Sequence, residues 1–188
     1  MSAAAAEGAQ SALRRLAQLL REQGGLMATL LAPEDSASAS TAAAAPGPAQ
    51  TAAAGPRAAG ARDEYELLVE TIYEGYLLHH GAGRVIAAPE ADLDLLAGDR
   101  LYALGLARLV ALGDTAAVAE LADTITLSAL AQAAGAPALA QAVWEAGAHA
   151  VGWGASPEHE RAKELAFARA PGAIEAMRTS FAGLPTPP

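Results

Sequence analysis

The chain has 188 residues, enough for one domain with a tail and too few for two full domains. It contains no cysteine, which excludes disulfides, thiolate metal sites and a Cys nucleophile together. The formal net charge of −9 is uneven: residues 1–62 carry five Arg against four acids, residues 63–188 seven bases against seventeen acids. A body this acidic repels phosphate backbones, so nucleic acid is not expected as a partner.

Only 4% of residues are aromatic, so a core must come from Leu, Val, Ile and Ala, a set that suits closely packed helices. No apolar run reaches the roughly 18 residues of a transmembrane helix, and Arg14, Arg15 and Arg21 interrupt the start where a signal peptide would be apolar. A cytoplasmic protein is expected.

In chain order, residues 10–23 spell a short amphipathic helix, with Leu13, Leu16, Leu19 and Leu20 on one side and Arg14, Gln18 and Arg21 on the other. Alone it is marginal, so within the region 1–32 it must dock or fray; a partly ordered terminal helix is the preferred reading, and an anchor to a protein partner or peripherally to a membrane the alternative. Residues 33–62 are Ala, Ser, Thr, Gly and Pro with almost nothing large to bury, and read as a disordered linker.

The helical domain is expected over 63–182. Asp63 caps a first helix bearing Tyr65, Leu68, Ile72 and Tyr76 at helical spacing, which Gly81 closes. Pro89 introduces a second, ending at Gly113, whose apolar residues lie on nearly all sides, which predicts the most buried helix. Asp114 caps a third, closed by Gly135; Pro137 opens a fourth; Pro157 and Pro171 introduce two shorter ones, before a loose tail over 183–188. No period-two β-branched run is present. The expected fold is all-α, an irregular bundle of about five or six helices.

Few residues suggest chemistry. Glu66, Glu70 and Glu74 recur every four positions, with His79 and His80 at the helix end, a set that could bind a hard cation. A metal-binding bundle would add a Glu-x-x-His pair from a second helix, and none occurs, so a solvated acidic face is the preferred reading. Asp99 sits in apolar surroundings together with Arg100, Tyr102 and Arg108, and a structural hydrogen bond is expected there. There is no G-x-S-x-G elbow and no phosphate loop. Trp144 and Trp153 read as core or interface anchors.

The stretch 95–135, LLAGDRLYALGLARLVALGDTAAVAELADTITLSALAQAAG, resembles a middle segment of trans-polyprenyl diphosphate synthases. An apolar lead, the Gly98-Asp99 pair, a small-residue helix, the Leu112-Gly113-Asp114 turn and an Ala/Leu helix follow in that family's order. The resemblance implies an isoprenoid-synthase-like fold in part, and structural turns at Gly98-Asp99 and Gly113-Asp114. Those synthases hold magnesium and an allylic diphosphate through two DDxxD motifs, and this sequence has neither. The likeness is therefore closest to the non-catalytic small subunit of heterodimeric heptaprenyl diphosphate synthases. It implies an accessory subunit with no catalytic residue and no cofactor, and magnesium only if the resemblance extends to function. The helices between Leu93 and Gln132 are apolar on nearly every side and the chain has few other helices to cover them, so a protein partner or a second copy bound through apolar helix faces is expected. A small metal- or ligand-binding protein or enzyme using Glu70, Glu74, His79 and His80 is the alternative, and a structural domain of unknown role the third reading.

Overall fold

The computed structural model describes residues 2–33, 46–80 and 83–182, with side chains from Ser11 onward. The fold is all-α: no strand occurs among the described residues, only an isolated antiparallel bridge between Leu31 and Ile86. The helices are α1 (Ser2–Gln23), α2 (Gly25–Thr29), α3 (Pro48–Ala54), α4 (Arg62–His79), α5 (Ala91–Leu112), α6 (Thr115–Ala133), α7 (Pro137–Trp153), α8 (Pro157–Phe167) and α9 (Ala173–Thr179), with a 3-10 turn at Pro56–Ala58.

α4 and α7 form the centre. α4 lies against α1, α3 and α5, and α7 against α3, α6 and α9. Trp144 of α7 meets the rings of Tyr73 and Tyr76 at 4.9 and 5.2 Å, so it is a core anchor, as its sequence setting suggests. The most buried helix is α7, with twelve of its seventeen residues buried. α5, expected to hold that place, buries only Ala97, Gly98, Leu101, Gly105 and Leu109. It is apolar all round because its second face looks outward, not because both are covered.

Gly98 and Asp99 do not form a turn; they lie inside α5. Gly98 is one of the small residues, with Gly75 and Gly105, that let α5 approach α4, since a Cβ on Gly98 would sit 2.3 Å from the His79 ring and 2.9 Å from the Gly75 carbonyl. The second predicted turn is real. Gly113 ends α5 with φ +76°, a left-handed conformation that favours glycine, and Asp114 caps α6 by accepting from the Ala117 N–H at 3.0 Å.

Residues 46–62, read as linker, instead include α3 and the 3-10 turn, packed between α4 and α7. Ala49, Ala52 and Ala58 are fully buried in the same cluster as Leu68, Ile72 and Trp144. The reason is fit. A helix of alanines exposes little surface to lose, but its thinness allows backbone-close packing, and a Cβ on Gly55 would fall 2.2 Å from the Gly152 carbonyl oxygen. The rest of the linker, 34–45, the predicted stop at Gly81 and the tail over 183–188 lie outside the described residues.

α1 docks on the body. Leu16 and Leu20 are fully buried with Leu67, Leu78, Val85, Ile86 and Leu101. The apolar side that could have been offered to a membrane or partner is thereby taken up within the chain. No helix among the described residues is long and apolar enough to cross a membrane.

Candidate functional site

Glu66, Glu70 and Glu74 of α4, expected to form a solvated face, instead attach the helix to the rest of the fold, and Glu64 does the same. Glu64 binds Arg108 of α5 through two hydrogen bonds of 2.6 and 2.8 Å. Glu66 accepts from Arg15 of α1 and, at 3.1 Å, from Gln50 of α3. Glu70 and Glu74 are both buried and share Arg84. Arg84 Nη2 donates to Glu70, its Nε donates to Glu74 at 3.1 Å, and the backbone N–H groups of Arg84 and Val85 each donate to Glu74 at 2.6 Å. The guanidinium also lies 5.2 Å from the Tyr73 ring centroid. Burial pushes the Glu70 carboxyl above its ordinary range, opposed by Arg84, and Arg84 itself is held above its own. Buried carboxylates need such partners, because an unpaired charge loses its hydration without compensation.

This arrangement leaves no donors for a cation. Glu70 and Glu74 have an arginine where a metal would sit, and the two histidines point elsewhere. His79 Nε2 is 3.2 Å from Asp99 Oδ1 without hydrogen-bond alignment, and its ring lies 5.3 Å from that of Tyr102. His80 packs on Tyr76 at 4.7 Å, and burial, together with His79, lowers its pKa. Among the described residues no three His, Asp or Glu side chains are placed to hold a metal ion. Asp99 is no buried carboxylate either: its side chain is 69% exposed.

Two further clusters were not legible in the sequence. Asp114, beyond capping α6, accepts from Arg57 at 2.7 Å and from the Tyr65 hydroxyl at 2.6 Å, while Arg57 Nε donates to the Val151 carbonyl at 3.2 Å. Burial alone would raise the Asp114 carboxyl, but the bonds from Tyr65, Ala117 and Arg57 outweigh it and hold it below the usual range. Tyr65 is pushed up to about 12, by burial and then by its bond to that carboxylate. The second cluster joins α6 to α8: Glu120 binds His159 Nε2 at 2.7 Å and Lys163 at 3.1 Å. Ser180 Oγ lies 3.4 Å from His159 Nδ1, which gives the side-chain order of a hydrolase triad. The Ser180 hydroxyl, however, donates to the Met177 carbonyl at 2.7 Å, so it closes α9 and is not presented as a nucleophile.

The ionisable groups are thus mostly engaged within the fold, while several large apolar groups are not. Leu26 of α2 and Leu96 of α5 are 57% and 62% exposed. They flank a cleft of about 320 Å³ between α2 and α5, lined also by Met27, Leu30, Leu93 and Arg100. Leu95 and Val110 continue the exposed apolar side of α5. Comparison with protein-family models, curated proteins and solved structures gives no match to this chain.

Proposed function

We propose that this chain is a non-catalytic helical accessory or interaction subunit that binds a protein partner or a second copy through the cleft between α2 and α5. The observation that carries the reading is the exposure of Leu26 and Leu96 on either side of that cleft, in a chain whose buried carboxylates, Glu70, Glu74 and Glu120, are used as internal ties. Apolar groups left in water favour association by roughly 25 cal/mol per Å² removed from solvent, before the costs of association are subtracted. Membership of a polyprenyl diphosphate synthase assembly is the finer form of the proposal. It rests on the resemblance of residues 95–135, a stretch that supplies Leu96, Ala97 and Arg100 to the α5 side of the cleft.

The metal-binding alternative is weaker, because Glu70 and Glu74 are drawn inward by Arg84 and not by an open site. Sedimentation at micromolar concentration, alone and with candidate partner subunits, tests the interaction reading. Glu in place of both Leu26 and Leu96 is expected to weaken assembly at least tenfold while leaving the helical circular dichroism unchanged. Assembly that survives the double substitution would remove the cleft from the reading.

A further inference from the structure

A second surface lies between α6 and α8. Asp123, Leu127, Glu160, Lys163, Glu164 and Phe167 line an open cleft of about 370 Å³. On α6, Asp123, Leu127 and Leu130 share one face, and on α8 so do Glu160, Glu164 and Phe167, by their spacings of three, four and seven. Low numbers pair with low and high with high: Glu120 meets His159, Asp123 meets Lys163, and Leu127 shares the cleft with Phe167. The two helices therefore run in the same direction. The carboxylates gather at one end of the cleft and the apolar groups at the other, where Phe167 is 68% and Leu130 41% exposed.

The acidic end stays negative despite its lysine. Lys163 is held by Glu120 at 3.1 Å, Asp123 at 2.8 Å and Glu160 at 3.0 Å, so its ammonium is taken up inside the cluster. With Glu164, four carboxylates face at most two cations, Lys163 and His159. Because Glu120 is buried and fixed by both His159 and Lys163, the rim carboxylates stand on a rigid base.

We propose that this cleft docks a basic amphipathic helix of a partner protein, one that carries Lys or Arg about seven residues from a large apolar side chain. Charge complementarity selects the cation for the Asp123, Glu160 and Glu164 end, and Phe167 with Leu130 takes the apolar anchor. The spacing follows from the surface itself: Asp123 and Leu130 are seven residues apart on α6, about 10 Å at 1.5 Å per residue, the separation that a facing helix must match. The cleft is separate from that between α2 and α5, so the two proposals stand or fall independently.

The test pans the full chain against a display library of 16-residue helical peptides randomised on one face, followed by fluorescence anisotropy with the most enriched peptide. Enrichment of Lys or Arg six to eight residues from Leu, Ile, Met or Phe is expected. The selected peptide should lose at least tenfold in affinity on Glu164→Lys and on Phe167→Ser, two exposed positions whose replacement leaves the fold intact by circular dichroism. Failure to enrich such peptides, or enriched peptides that bind both variants as tightly as the parent chain, would overturn the proposal. Spermine bound with the same dependence on both residues would assign the cleft to a small polyamine and overturn it equally.

Discussion

Replacing Arg84 by Met is expected to destabilise the chain by about 3–5 kcal/mol, the usual consequence of removing one partner from a buried ion pair. The cause is the pair left behind. Glu70 and Glu74 are buried, and without the guanidinium only the two backbone N–H groups at Arg84 and Val85 remain, both on Glu74. Glu70, already held above its ordinary range by burial, then rises further. A carboxyl whose folded pKa is raised stabilises the fold at low pH and loses that contribution as pH rises through the folded value. The deficit of the variant is therefore largest at neutral pH and shrinks toward about pH 5. Urea unfolding at several pH values measures it. Adding Glu70→Gln and Glu74→Gln should restore a large part of the loss, since neutral amides fill the same space without a charge to desolvate. An Arg84→Met chain as stable as the parent at pH 7 would mean that the buried cluster is not a structural tie.

Gly55→Val should cost roughly 3 kcal/mol, at the upper end of what overpacking a core site does. Gly55 follows α3, and even the first carbon of a side chain would stand 2.2 Å from the Gly152 carbonyl oxygen and 2.4 Å from the Gly152 Cα. Those are backbone atoms of the central helix α7, so no rotamer change relieves the contact. In a disordered tether the same substitution would be neutral. Thermal unfolding therefore decides between a linker and a packed segment, and a melting temperature unchanged by Gly55→Val would return these residues to a tether.

Gly55 and Asp114 differ in how far along the chain their determinants lie. The cap of α6 by Asp114, the Gly113 stop and the Pro137 start of α7 depend on residues within a turn of each other, and the chain follows them. The docking of α1 was half legible. Its Leu13, Leu16 and Leu20 periodicity implies an apolar face, but nothing local names Leu67, Leu78 and Leu101 as what covers it. α3 was not legible, because alanine carries little burial signal and its place in the core depends on a surface about a hundred residues away, at Gly152.

The α4 carboxylates failed for a related reason. A spacing of four residues reads as a solvated face wherever the partners are distant, and here Arg15, Arg84 and Arg108 arrive from α1, the α4–α5 connection and α5. An arginine placed soon after an acidic helix, as Arg84 follows Glu70 and Glu74, was the one available signal. Glu120, His159 and Lys163 had none, since they meet only when α6 and α8 are brought together.

The most direct test of the interaction reading is the mass of the complex isolated natively from its own cells, with covalent labelling of the side chains around Leu26 and Leu96. A mass above that of one chain, with those two side chains protected relative to the purified chain at high dilution, is the predicted result. A single-chain mass with Leu26 and Leu96 fully labelled would contradict the proposal that this cleft is where the protein meets its partner.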